Sequence, residues 1–334
     1  MILERQIDVV NKIKISDSFG RTFKTLRVSL INTCNLACAY CVDPSASPIP
    51  KGGRDNASKL SPLGVGDYIK IISALNNLLE FDTIRLTGGE PLLYKQLVPL
   101  VKGISNLGIP TLKMTSNGTL LDNKAHDLKN AGINSINISL DAVDPDISYK
   151  INQRKNLQKV LNGIDNAIAA GINIKINCVV MKGYNDNHII DILEYCKQRN
   201  ISIRFLELME MGHLHQNFDE LFFSEKDILN CISSHYQLTA LKRKPNATAN
   251  YWKTDDGYTF GIISNVSNPF CNDCNRLRLD SYGNIYGCLS DNSPISIIDC
   301  IDNEQQLLNK LMKALSQKKQ KFSGSKLSMM HIGG

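Results

Sequence analysis

The chain has 334 residues, a formal net charge of +6 and ten cysteines. This length suggests one large domain or two, and it can bury a core without disulfide staples. No window predicts a membrane span, and the first residues lack the apolar run of a signal peptide. We therefore expect a cytoplasmic protein without a membrane partner, whose reduced cysteines are metal ligands more often than disulfides. The mild positive charge fits an anionic ligand, but a few surface lysines would give the same value.

Strand and helix patterns alternate between residues 25 and 208. Predicted strands cover residues 25–31, 83–87, 111–115, 135–140, 172–181 and 201–208, and predicted helices cover 62–79, 94–107, 122–131, 156–170 and 188–199. Residues 43–61, rich in Pro, Gly, Ser and Lys, predict a loop. The alternation indicates an α/β fold with a parallel sheet, either doubly wound or an incomplete (β/α)6 barrel.

The alternation ends near residue 210. A helix is predicted over 221–240, strands over 259–263 and 277–289, and a helix over 305–317, with Trp252 in a loop. We expect three parts: an N-terminal extension over residues 1–24, an α/β barrel over 25–220 and a C-terminal domain over 221–334.

Three cysteines follow the first predicted strand. Cys34, Cys38 and Cys41 have the spacing C-x3-C-x2-C, which a regular helix cannot direct at one atom, so a loop around a metal centre is favoured. Iron–sulfur clusters are held by cysteine thiolates, usually four. With three, one iron stays open to a small ligand. A zinc site and simple core packing remain alternatives at this point.

A second cysteine group lies in the C-terminal part. Cys271, Cys274 and Cys288 have the spacing C-x2-C-x13-C. The spacing alone fits a second iron–sulfur cluster and a zinc ribbon equally well, with Cys300 as the fourth zinc ligand. Cys300 lies in an apolar stretch, which favours a core position. Cys178, Cys196 and Cys231 are interpreted as buried free thiols.

Most of the predicted strands carry one basic residue, namely Arg27, Arg85, Lys113, Lys175 and Arg204. If these side chains converge, they would suit a polyanion such as a triphosphate. Each could instead pair with a carboxylate or reach solvent, and we assign Lys113 to that alternative. A nucleic-acid-binding zinc module would show a basic stripe with interleaved aromatic residues. The cations are spread one per strand instead, so we expect no nucleic-acid partner.

The first cysteine motif, with Tyr40 before its last cysteine and the Gly-Gly-Glu-Pro sequence at 88–91, resembles the radical S-adenosylmethionine (SAM) superfamily over about residues 25–210. This resemblance implies an incomplete (β/α)6 barrel and a [4Fe–4S] cluster on the first three cysteines, whose open iron is chelated by SAM. It implies SAM-binding roles for Tyr40, Gly89, Ser139 and Met209, with Gly88 beside Gly89.

The second group narrows the resemblance to the GTP 3′,8-cyclase family of molybdenum cofactor biosynthesis. This resemblance rests on the second cysteine group with the Asn-Arg-Leu-Arg sequence at 275–278, on the segment 17–21 and on the terminal glycines. The family resemblance implies a lyase that converts GTP to (8S)-3′,8-cyclo-7,8-dihydroguanosine 5′-triphosphate. It also implies a second [4Fe–4S] cluster on Cys271, Cys274 and Cys288, which receives the guanine. The matching GTP positions are Arg27, Arg85, Thr115, Lys175, Arg276, Leu277 and Arg278, and Arg204, Gly333 and Gly334 are further candidates for catalysis or closure.

The same resemblance implies an external one-electron donor, a downstream cyclic pyranopterin monophosphate synthase and a homodimer. Departures from the family pattern are Asn32-Thr33, Ala37, Ser116 and Tyr94-Lys95. None is a cluster ligand, so they concern loop packing rather than the reaction. The alternative is another radical SAM enzyme with an auxiliary cluster, acting on a peptide or other substrate. Such relatives carry more cysteines in their C-terminal part.

Overall fold

The computed structural model describes residues 15–43, 62–327 and 329. The strands are β1 Thr25–Ser29, β2 Thr83–Thr87, β3 Thr111–Ser116, β4 Ser135–Ser139, β5 Asn173–Val180, β6 Ser202–Glu207, β7 Leu238–Leu241, β8 Asn250–Thr254, β9 Thr259–Ile263, β10 Arg276–Leu279, β11 Asn284–Tyr286 and β12 Ile295–Ser296. The α-helices are α1 Val65–Leu79, α2 Leu97–Ser105, α3 Ala125–Ala131, α4 Pro145–Asn152, α5 Leu157–Ala169, α6 Ile189–Gln198, α7 Phe218–Leu221, α8 Glu225–Ser233 and α9 Glu304–Ser316.

All twelve strands join one sheet, in the order β12-β11-β10-β1-β2-β3-β4-β5-β6-β9-β8-β7. Strands β1 to β6 are parallel neighbours in chain order, as the alternation predicts. On its other side β1 pairs with β10, and on its other side β6 pairs with β9; both pairings are parallel. Strands β1 and β6 therefore do not pair, and the predicted incomplete (β/α)6 barrel is confirmed as an open sheet extended at both edges.

The two faces of the central strands differ in chemistry. In β1, Leu26 and Val28 are fully buried in the main apolar core, and in β2 Ile84 and Leu86 are also fully buried there. Alternate residues of a strand point to opposite faces. The basic residues between these apolar ones therefore face the inside of the curved sheet, where the site lies.

Four local features differ from the sequence prediction. The strand predicted over 277–289 forms two antiparallel strands, β10 and β11, with a turn between them. The helix predicted over 221–240 ends as α8 at Ser233, and the chain then enters β7. Trp252 lies in β8 rather than in a loop, and its ring stacks on Phe260 with 6.1 Å between centroids. Helix α4 is absent from the sequence prediction; the side chain of Asp144 caps it by accepting from two backbone amides. The sequence patterns of β7 and β8 are too short to predict strands, and these segments become strands by pairing at the edge of the extended sheet.

No helix in the described part of the chain is long and apolar enough to cross a membrane. The predicted loop over 43–61 lies outside the described residues except for residue 43, and so do Gly333 and Gly334.

Candidate active site

Two adjoining cavities lie on the inner face of the sheet. The first cavity is lined by Cys34, Cys38 and Cys41, and the second by Cys271, Cys274 and Cys288. The second has a volume of about 800 Å³, within the range of small-molecule sites. The two cavities share wall residues Thr115, Asn177, Leu206, Met209 and Met329. The two predicted cysteine groups thus face one continuous space.

The first cysteine loop is fixed by helix α4. The amide of Ala39 donates to the carbonyl of Ile151 at 2.9 Å, and the amide of Cys41 donates to the carbonyl of Cys38 at 2.8 Å. The amide nitrogen of the Asn117 side chain lies 3.6 Å from the Cys34 sulfur. Burial raises the pKa of Cys34 and of Cys38, so a bound cationic group is needed to favour the thiolates. Three thiols facing an open cavity fit an iron–sulfur cluster with one open iron.

The Gly-Gly-Glu-Pro loop crosses this cavity where no larger residue fits. The amide of Gly89 donates to the carbonyl of Ile31 at 2.7 Å. A β-carbon at Gly89 would lie 2.2 Å from the carbonyl oxygen of Thr33, and one at Gly88, whose φ is +147°, would lie 2.8 Å from the Ile31 oxygen. Both glycines line the first cavity. This close approach to residues 31–33 requires glycine at both positions.

Glu90 connects this loop to the end of β3. Its carboxylate accepts hydrogen bonds from the Ser116 hydroxyl at 2.8 Å and from the backbone amide of Asn117 at 2.7 Å. Burial raises the pKa of Glu90 to about 7, against the opposing effect of these hydrogen bonds. Ser116, a departure from the family pattern, thus still supplies a hydroxyl to the buried carboxylate.

The side of the first cavity that carries Tyr40 is held by a buried carboxylate. The Tyr40 hydroxyl donates to Asp141 at 2.9 Å, and the other Asp141 oxygen accepts from the Val179 amide at 2.8 Å. Burial raises the pKa of Asp141 to about 6. Ser139 and Met209 line the same cavity. Asp141 follows β4 at the carboxyl edge of the sheet, and its hydrogen bond to Tyr40 is formed only in the tertiary structure.

Cationic side chains surround the second cysteine group. The Cys274 sulfur lies 3.7 Å from Lys318 Nζ and 3.6 Å from Arg276 Nη1. Burial acts to raise the pKa of Cys274, but Lys318 and Arg276 together lower it to about 7. Cys300 is 2% exposed and its thiol donates to the Ile297 carbonyl at 3.3 Å, so it belongs to the core. A zinc ribbon with Cys300 as a ligand is not supported.

A row of cations crosses four neighbouring strands in register. Arg278 of β10 is paired with Arg27 of β1, which is paired with Arg85 of β2, which is paired with Lys113 of β3. Like charges directly opposite each other destabilise a sheet. All four side chains line the second cavity. Lys113, assigned above to solvent or to a carboxylate, lines this cavity with the cations Arg85 and Arg204 as its charged neighbours among the described residues.

The charge lining the second cavity is of one sign. Its cations are Arg21, Arg27, Arg85, Lys113, Lys175, Arg204, Lys242, Lys244, Arg276, Arg278, Lys318 and Lys319, and no carboxylate of the described residues joins them. Arg204 donates to Asn177 at 2.6 Å, and its buried Nε has no partner in the described part of the chain. Leu277 is fully buried in the core and does not line the cavity. The other predicted GTP positions within the described ranges all do.

The open barrel, the three-cysteine loop after β1 and the Gly-Gly-Glu-Pro loop after β2 define a radical SAM protein. Family models agree: the Radical SAM superfamily matches residues 28–196, and Molybdenum Cofactor Synthesis C matches residues 201–324.

Curated relatives narrow this class. The chain is 37% identical to a GTP 3′,8-cyclase of Campylobacter lari, over 90% of this chain and 92% of the relative. It is 32% identical to one of Aquifex aeolicus, over 95% of this chain and 99% of the relative. The chain belongs to the GTP 3′,8-cyclase family.

Solved structures agree with the fold. Streptococcus suis SuiB bound to S-adenosylmethionine matches with a TM-score of 0.62 at 12% identity, over 89% of this chain and 68% of SuiB. Native anSMEcpe with bound AdoMet matches with a TM-score of 0.53 at 16% identity, over 89% of this chain and 81% of that one. At these identities the likeness concerns the fold alone.

Proposed function

We propose that this chain is a radical SAM lyase that converts GTP to (8S)-3′,8-cyclo-7,8-dihydroguanosine 5′-triphosphate, the first step of molybdenum cofactor biosynthesis. One observation carries the proposal: a cavity of SAM-binding type shares a wall with a cation-lined cavity that ends at a second cysteine group. The names of the curated relatives support the same reaction.

The first cavity binds the radical-forming groups. Cys34, Cys38 and Cys41 would hold a [4Fe–4S] cluster, and the cluster and SAM together would supply radical chemistry for hydrogen abstraction from the ribose C3′. The backbone at Gly89 orients the methionine end of SAM. Tyr40, fixed by Asp141, and Met209 flank the adenine, and Ser139 contacts the carboxylate or ribose.

The shared wall positions the ribose. Thr115 accepts a weak hydrogen bond from Arg85 at 3.4 Å, and Asn177 is held by Arg204 at 2.6 Å. Both Thr115 and Asn177 border both cavities. A substrate lying across this wall has its ribose next to the first cavity while its two ends remain in the second.

The cation row binds the triphosphate. Arg27 and Arg85 face one another with no carboxylate between them, so a polyphosphate relieves their mutual repulsion. Burial, together with Arg204, Lys113, Arg85 and Lys244, lowers the pKa of Lys175. Lys113, Lys175 and Lys244 all line the second cavity.

The second cysteine group binds the guanine end. Cys271, Cys274 and Cys288 line this cavity and would hold a second [4Fe–4S] cluster there. Arg276 is held beside it by the Asn246 carbonyl at 2.9 Å and by the Phe270 ring, with 4.9 Å to the centroid. Its guanidinium is thereby fixed at the substrate side of the cysteine loop.

Anaerobic reconstitution followed by incubation with GTP, SAM and dithionite tests the proposal. We expect about eight irons per chain, 5′-deoxyadenosine and a cyclised GTP product, because two four-iron clusters assemble. Formation of 5′-deoxyadenosine without any change in GTP would reject the cyclase assignment and point to another substrate, such as a peptide.

A charge variant tests the substrate cavity. Lys113→Met should raise the KM for GTP roughly tenfold, the loss expected for one charge-assisted hydrogen bond to a phosphate. Lys253→Met is the matched control, because Lys253 is an exposed residue of β8 outside the cavity. Equal KM values for GTP in both variants would reject a phosphate-binding role for Lys113.

The surrounding assignments rest on family membership. We propose a cytoplasmic homodimer that takes electrons from an external one-electron donor and passes its product to a cyclic pyranopterin monophosphate synthase. We place the domain boundary near residue 220, and we propose that Gly333 and Gly334 help to complete the active site. Light scattering after gel filtration tests the dimer, and deletion of the two glycines tests the tail.

A further inference from the structure

Lys318 is a buried lysine beside the second cysteine group. It follows α9 and is 6% exposed. Its ammonium donates to the Arg276 carbonyl at 2.8 Å, lies 3.7 Å from the Cys274 sulfur and stands 4.7 Å from the centroid of the Phe23 ring. A lysine is rarely so buried unless it is paired with an opposite charge.

The acidic groups near Lys318 are the thiols of two cysteines. The charged groups facing it are Cys274 and Cys288, together with the cations Arg21 and Arg276. Among the described residues no carboxylate forms an ion pair with it. A buried ammonium is costly unless an anion compensates it. The thiolates that hold the second cluster are the compensating charge within its reach.

The chain on either side of Lys318 is fixed to the cysteine segments. A β-carbon at Gly287, which precedes Cys288, would lie 2.0 Å from the carbonyl oxygen of Ala314 in α9. Arg21 Nη1 donates to the carbonyl of Cys271 at 2.6 Å and to that of Lys319 at 3.1 Å. The end of α9 is thus tied to the cysteine segments, and the direction of the lysine is set by backbone packing.

We propose that Lys318 is a positioning residue of the second cluster: its ammonium holds the Cys274 thiolate and stabilises the negative charge added when the cluster accepts one electron. Hydrogen bonds to the cluster sulfurs and nearby charge set cluster potentials. The inference concerns the second metal site and rests on the proposed cluster, but it does not depend on GTP being the substrate.

A redox titration without substrate tests this role. The full chain with Cys34, Cys38 and Cys41 all changed to serine assembles only the second cluster, and its reduction by dithionite is followed by electron paramagnetic resonance. Lys318→Met should lower the one-electron equilibrium constant about tenfold or more, which is a fall of at least about 59 mV in midpoint potential. Lys318→Arg should keep the wild-type potential.

Lys313→Met is the matched control, since Lys313 is an exposed residue of α9 that does not line the second cavity. Its potential should be unchanged. A wild-type potential in Lys318→Met and Lys318→Gln, with four irons bound, would overturn the proposal. If both neutral variants lose iron while Lys318→Arg keeps it, the holding role is supported. If Lys318→Arg also loses iron, packing rather than charge is required, and the proposal fails.

Discussion

Changing Arg21 to methionine removes a buried ion pair and a backbone contact of the second cysteine group together. Arg21 Nε and Nη2 both lie 2.6 Å from one carboxylate oxygen of Asp17, and the two side chains are 5% and 0% exposed. The remaining terminal nitrogen donates to the carbonyl of Cys271. The substitution leaves the Asp17 carboxylate buried without its cation.

The expected magnitude follows from this burial. Removing one partner of a buried ion pair costs about 3–5 kcal/mol. Asp17 keeps two backbone donors, Phe19 at 3.0 Å and residue 21 at 2.9 Å, so we expect a loss near the lower limit. Because Cys271 also loses its contact, iron should fall from about eight to about four per chain.

A double-mutant cycle measures the pair. Chemical unfolding of the iron-free chain is compared for Asp17→Asn, Arg21→Met and the double variant, with exposed Arg154→Met as the control. The double variant should lose less stability than the two single losses added together, since neither charge then remains unpaired. Additive losses, or an Arg21→Met loss below about 1 kcal/mol with full iron content, would refute the reasoning.

Three further predictions concern the first cavity and the core. Gly89→Ala should abolish SAM binding in equilibrium dialysis, because its β-carbon needs space held by the Thr33 carbonyl; Gly66→Ala, with open space around it, is the control, and retained binding would contradict this. The pKa of Glu90 is raised to about 7 from 4.5, so its stabilising contribution is complete below pH 4.5 and is lost as pH rises through 7. Between about pH 5.5 and 8 wild type should therefore lose on the order of 2 kcal/mol relative to Glu90→Gln in chemical unfolding, and parallel curves would reject the shift. Cys300→Ser should lower stability but keep both clusters by iron analysis; loss of about four irons would make Cys300 a ligand.

Local sequence patterns are enough to predict the strands, the helices and the cysteine groups that depend on short segments. The strand and helix periodicity places β1 to β6 within a few residues, because burial on one face fixes that period over each short segment. Both cysteine groups and the glycine loop are contiguous or nearly so, and their spacing is enough to identify the family. The roles predicted for Cys34 and Gly89 rest on neighbouring residues, because the motif is local.

Which side chains come together depends on the tertiary structure. Lys113, Lys244 and Lys318 come from β3, from the turn after β7 and from the end of α9, and no local pattern joins them. The register of β10 against β1 places Arg278 beside Arg27 in the cavity and turns Leu277 into the core beside Leu26. A shift of one residue would exchange these faces. Curvature and register are set by packing over the whole sheet. The charge of the cavity therefore cannot be predicted from any single segment of the sequence.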